Sequence, residues 1–110
     1  MTIKWSQKAE RTWLKTLQHI NDEFGYHAAV KFRKATTTAV KQIRQFPKCG
    51  PPEDLLASLG KEYRGLSFGT YNKVIYYIAE AEDEIHLDDI WDTRREPKTQ
   101  ADETTNQPKQ

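Results

Sequence analysis

The chain is poor in the residues that would define it cheaply. It holds one cysteine, one methionine, five glycines and five prolines in 110 residues. A lone Cys49 excludes an internal disulfide framework and any Cys-rich zinc site, and it fits a reducing compartment. No run approaches the roughly 20 apolar residues of a membrane span. The opening MTIKWSQKAERTW lacks the uninterrupted apolar stretch of a signal peptide. The expectation is a soluble, cytoplasmic protein. A charge excess is missing too: 17 Lys+Arg stand against 16 Asp+Glu, a net charge of +1. That balance excludes a protein held on nucleic acid by bulk positive charge, while a local basic patch stays open.

What is there fits one domain with a core of its own, which needs no metal, disulfide or cofactor to fold. No internal repeat is visible. Residues 2–5 (TIKW) are β-branched and aromatic, a short strand. Ser6 then caps a helix, and Ala9, Trp13, Leu17, Ile20 and Phe24 recur at spacings of three and four along one face. Gly25 ends it. A second helix runs from about His27 to Gln45 on the stripe Ala28, Phe32, Ala35, Ala39, Ile43 and Phe46, and Pro47 stops it. The two stripes predict a helical hairpin. In the connection 47–62, Leu55, Leu56 and Leu59 suit a short turn over the core edge.

Three strands follow, at Tyr63–Phe68, Lys73–Ala79 and Glu84–Trp91, joined by links short enough for antiparallel pairing. The fold class is therefore α+β, two helices on one face of a small, mostly antiparallel sheet. The domain is read as residues 1–97. Residues 98–110 contain no large apolar residue and are expected to be a disordered tail.

Charge is segregated along the chain. Residues 1–52 carry ten Lys/Arg against three acids, a local charge of +7, and residues 53–97 carry five against eleven, a local charge of −6. Lys8, Arg11 and Lys15, like Lys34, Lys41 and Arg44, lie at helical spacing and read first as the wet side of amphipathic helices. Together they also offer a basic surface to an acidic partner.

Three segments carry a family resemblance: Tyr63-Arg64-Gly65-Leu66, then Asn72-Lys73-Val74-Ile75-Tyr76, then Trp91-Asp92-Thr93-Arg94-Arg95-Glu96-Pro97, after the opening IKWSQKAERTW. In this order and spacing, over residues 2–97, the chain resembles the RelE/ParE superfamily of toxins from bacterial type II toxin–antitoxin pairs. The resemblance implies a cognate antitoxin whose C-terminal segment wraps the toxin. It also implies one of two activities on one fold: messenger RNA cleavage in the ribosomal A site (RelE-like), or poisoning of DNA gyrase without a catalytic site (ParE-like). Fold alone does not choose.

Metal-free RNA cleavage needs a base for the 2′-hydroxyl, an acid for the leaving oxygen and cations for the phosphate. On the resemblance, the phosphate-binding position is Lys73, which supplies charge without a bidentate fork. Where RelE-like enzymes end the last strand in His or Tyr, this chain has Trp91 and Asp92. Trp has no acid–base role at neutral pH, and a carboxylate repels phosphate. Strict alternation puts Ile85, Leu87, Asp89 and Trp91 on one strand face and His86 on the other, with Asp88, Ile90 and Asp92. Candidate catalytic groups are thus Arg64, Lys73, His86 and Arg94. Candidate target- or antitoxin-binding groups are Arg64, Lys73, Tyr76, Arg94 and Arg95. The plainer readings are an ion pair of Arg64 with Asp89 or Asp92, an edge histidine, and solvated arginines at a strand end.

Other constellations weigh less. His86, Asp88, Asp89 and Asp92 do not converge as metal ligands, because successive strand residues face opposite ways. Trp5, Trp13 and Trp91 read as packing, Glu80–Glu84 as a solvated hairpin turn, and Cys49 as non-catalytic. Helices of this length do not suit a helix-turn-helix. The expectation is a ParE-like inhibitor of DNA gyrase, with a RelE-like ribosome-dependent messenger RNA nuclease as the alternative and an inert family member as a third class.

Overall fold

The computed structural model describes residues 1–95 and 97–105. Strand β1 (Thr2–Trp5) leads into helix α1 (Gln7–Phe24), whose first turn is capped by the Ser6 hydroxyl accepting from the Ala9 amide at 2.9 Å. Helix α2 (Tyr26–Gln45) begins one residue later. Gly25 alone makes that reversal, with φ 92° and ψ 177°, a conformation open essentially only to glycine. It serves both helices as a cap, so α2 starts at Tyr26, slightly earlier than the apolar spacing predicts.

A 3-10 turn at Asp54–Leu59 precedes β2 (Arg64–Phe68), β3 (Asn72–Ala79) and β4 (Glu84–Asp92). The sheet order is β1-β4-β3-β2, with β1 parallel to β4 and the other neighbours antiparallel. This is the expected α+β architecture. On one face of the sheet α1 and α2 bury Phe32, Ala39, Ile43, Phe68, Val74, Tyr76, Ile85, Leu87 and Ile90 as the main core.

The opposite face differs from the sequence-based expectation. It is not open: Leu56 of the 3-10 turn, Tyr63, Ile75, Trp91 and Ala101 form a second core there. Ala101 belongs to a helix, α3 (Pro97–Thr105), in the stretch read from the sequence as a disordered tail. That reading is corrected as far as Thr105; residues 106–110 lie outside those described. The helix needs no large apolar residue because side-chain hydrogen bonds dock it. Gln100 accepts from the Asp92 amide at 2.8 Å and donates to the Asp92 carbonyl at 2.6 Å. The Thr104 hydroxyl donates to the Asp89 carboxylate at 2.6 Å and accepts from the Trp91 indole N–H at 3.1 Å.

A β-bulge sets the register of this face. Ile75 faces Asp89 and Tyr76 faces Leu87, leaving Asp88 as the extra residue of β4. Strict alternation therefore fails at Asp88. Ile85, Leu87 and Ile90 all enter the helix-side core, whereas Asp89 and Trp91 turn toward α3. The expected grouping of Trp91 with Leu87 is corrected, because one inserted residue re-aims every side chain after it.

Candidate functional site

The side chains singled out in the sequence occupy β2, β3, β4 and the turn after β4. Arg64, at the start of β2, has a side chain only 11% exposed. Its guanidinium donates to the Gly50 carbonyl at 2.8 Å, to the Lys48 carbonyl at 3.4 Å and to Glu62 at 2.6 Å. The ion pair expected with Asp89 or Asp92 is not made; the arginine instead clamps the loop that runs beside β2.

Tyr76, directly across from Arg64 in register, is fully buried. Its hydroxyl donates to the Pro47 carbonyl at 2.7 Å and accepts from the Gly50 amide at 2.9 Å. Gly50 is required here, because a Cβ would lie 2.8 Å from that hydroxyl oxygen and 2.9 Å from the Gly65 carbonyl oxygen. Tyr76 thus has no surface to offer a target or antitoxin in this fold, and its expected place among the binding groups falls to a packing role.

Lys73 pairs with Glu53 at 3.0 Å and lies 5.5 Å above the Trp91 ring. His86 bonds Glu84 at 3.1 Å and stacks on Tyr77 at 4.9 Å between centroids. Arg94 grips Asp92 with two side-chain bonds, at 3.1 and 2.9 Å, and crosses the Tyr71 ring at 4.5 Å. Hydrogen bonds from Arg94 hold the Asp92 carboxyl below its usual range. Arg95 makes a fork with Glu103 of α3, at 2.6 and 3.3 Å. The arginines are exposed yet ion-paired, Arg94 with Asp92 at the end of β4 and Arg95 with Glu103 of α3.

Two groups have partners that differ from those the sequence suggests. The Tyr63 hydroxyl donates to Asp88 at 3.0 Å. Asp89, 3% exposed, is held by Thr104, by the Ile90 amide at 2.8 Å and by Lys8 of α1 at 3.4 Å. Alternation groups Asp89 with Ile85 and Leu87; the bulge that instead turns it toward α3 has no sequence signature. Among the described residues no cluster of three or more His, Cys, Asp or Glu is placed to hold a metal ion, and no helix is long and apolar enough to cross a membrane.

Both buried phenols resist ionisation. Burial pushes the Tyr76 hydroxyl up to about 12 against the opposing Gly50 N–H, and burial together with the Asp88 charge raises Tyr63 as well. A folded-state value above the unfolded one means that stability is complete below the unfolded value, near pH 10, and is lost as pH rises through the folded one. For Tyr76 the loss amounts to roughly 2–3 kcal/mol. The expected result is a urea midpoint that holds steady up to about pH 10 and falls steeply toward about pH 12. Tyr76→Phe, measured the same way, should show a shallower fall.

The arrangement ties each candidate cation to a partner within the chain. It is a braced surface. A model of the family described as ParE toxin of type II toxin–antitoxin system, parDE, matches residues 3–97.

The chain belongs to the ParE toxin family.

Among solved structures it is similar to a chain of the chromosomal ParDE toxin–antitoxin system from P. aeruginosa, with a TM-score of 0.66 at 20% identity, covering 84% of this chain and 95% of that one. No curated protein is significantly similar to it. At that identity the likeness speaks for the fold: a ParE fold of strand, helical hairpin and antiparallel strands. Helix α3 extends beyond the residues that match the ParE family, which end at 97.

Proposed function

We propose that this ParE-family toxin arrests growth by binding DNA gyrase and is silenced by a cognate antitoxin. One observation carries the reading over nucleolytic cleavage. Each group that would serve a metal-free nuclease already has a partner within the chain: Lys73 has Glu53, His86 has Glu84, Arg64 has backbone carbonyls and Glu62, and Arg94 has Asp92. General acid–base work needs a side chain within hydrogen-bond reach of a substrate proton. The sheet face that bears Lys73 and Trp91 is in part covered by α3 and the 3-10 turn.

A binding inhibitor needs only a rigid, complementary surface, and the braced strand ends supply one. Arg94 and Arg95 remain about half exposed despite their ion pairs, so they are the part of the expected set still able to meet a partner. The test is a supercoiling assay with purified gyrase beside a translation extract carrying a defined messenger. Stoichiometric block of supercoiling with intact messenger is the expected result. Messenger cut at ribosome-occupied codons with gyrase unaffected would replace this reading by the RelE-like one.

A further inference from the structure

Helix α2 carries a surface that neither the core nor the proposed target accounts for. Over residues 31–45 its exposed positions are Lys31, Arg33, Lys34, Thr37, Thr38, Lys41, Gln42, Arg44 and Gln45. There is no acid in the whole helix and no apolar side chain among those nine positions. Among the described residues none of the five cations enters a salt bridge, whereas Lys4, Lys8, Arg64, Lys73, Arg94 and Arg95 all do. The buried positions Phe32, Thr36, Ala39 and Ile43 define the opposite side of the helix.

The composition of this stripe selects its occupant. A protein partner, even an acidic one, binds through apolar or aromatic anchors in a desolvated centre, with charges at the rim. Between residues 31 and 45 the α2 stripe has no such anchor; the exposed Tyr26 stands at the N-terminal end of the helix, two turns before Arg33. A single nucleic-acid strand is held by aromatic side chains on which successive bases stack, and residues 31–45 of the stripe have none. Lys, Arg, Thr and Gln are instead the side chains that contact phosphate oxygens of a duplex. From Arg33 to Arg44 the helix rises about 16 Å, a length over which B-form DNA presents roughly nine phosphate charges. Net charge does not oppose this, because the acids that bring the chain to +1 stand mostly after residue 52.

We infer that the exposed face of α2 is a sequence-independent docking surface for the phosphate backbone of double-stranded DNA, with Arg33, Lys34, Lys41 and Arg44 as its contacts. This stands apart from the gyrase reading and uses none of the same residues. The attraction is electrostatic, so it weakens with salt. Four contacts give a log–log slope of affinity against salt of about −3.6.

The test is fluorescence anisotropy of the full chain with a labelled duplex of arbitrary sequence, titrated across salt concentrations. The expected result is binding at low salt with a slope near −3.6, unchanged when the duplex sequence is changed. The quadruple variant R33A/K34A/K41A/R44A replaces only exposed residues, and its thermal melt should match the parent. Its slope should fall close to zero. No binding at low salt, an unaltered slope in the folded quadruple variant, tighter binding of a single strand, or binding of polyglutamate in place of the duplex would each overturn the assignment.

Discussion

Tyr76→Ala is expected to cost about 4–8 kcal/mol of folding stability, enough to leave the domain largely unfolded at 37 °C. Two independent losses combine. Removing a buried aromatic ring costs roughly 3–5 kcal/mol in transfer and cavity terms. The ring lies among Phe32, Ile43, Val74 and Leu87 in the main core, so little can relax into the space. The hydroxyl's loss then leaves the Gly50 amide and the Pro47 carbonyl without their partner, and a buried group left unsatisfied costs about 1–3 kcal/mol. Against a total of roughly 5–15 kcal/mol for a domain, the sum is decisive. A urea titration followed by circular dichroism checks it. Tyr76→Phe separates the parts, since it keeps the ring and should lose about 1–3 kcal/mol. A Tyr76→Ala midpoint within error of the parent would mean that the loop 47–50 is not anchored through this hydroxyl.

The same anchoring changes how Arg64 is to be read. The sequence places it in the pattern that suggests phosphate or target contact. The structure gives it the carbonyls of Gly50 and Lys48 as partners, beside a backbone bond from the Gly65 amide to the Pro51 carbonyl at 3.0 Å. Tyr76 and Arg64 thus hold one loop from two sides. Loss of toxicity on replacing Arg64 would report on that loop as much as on a target. Arg94, exposed at a strand end, is the cleaner probe, because removing it disturbs chiefly one surface pair.

Where local pattern and global fold agree, the sequence is a good guide. The stripe Ala9, Trp13, Leu17 and Ile20 does face the core with Phe32 and Ile43, and the strands after Tyr63 fall within a residue or two of their expected bounds. These elements are set by apolar periodicity, which is a local signal. Phe24 and Phe46 end their stripes exposed, since each sits past the edge of the sheet-facing surface. The failures share one cause. The bulge at Asp88, the burial of Asp89 and the docking of α3 all rest on hydrogen bonds between residues far apart in the chain or indifferent in pattern. Polar side chains such as Gln100 and Thr104 look like solvated tail until their partners are in place. Site legibility follows the same line: the positions of Arg64, Lys73, His86, Arg94 and Arg95 were readable, but the carboxylates and carbonyls that engage them were not.

Helix α3 provides the second large effect. A chain ending at Arg95 should lose about 3–5 kcal/mol, through several lost hydrogen bonds at roughly 1 kcal/mol each, with those to the charged Asp89 at the upper end, and the re-exposure of Trp91 and Leu56. The Arg95–Glu103 fork adds little, being half exposed. Trp91 is 3% exposed while Trp5 is at the surface, so truncation should shift tryptophan emission to longer wavelength even where the domain stays folded. Thr104→Val isolates the central contact. It keeps the volume of the side chain and removes the hydroxyl that joins the Trp91 indole to the Asp89 carboxylate, at an expected cost of about 2–3 kcal/mol. Differential scanning fluorimetry and emission spectra of the two variants read both effects. If truncation left melting temperature and emission unchanged, α3 would not be docked on the sheet, and the face bearing Lys73 and Trp91 would be open to a substrate. That outcome would remove the main physical argument against a nuclease, which makes this short polar helix the point where fold stability and functional assignment meet.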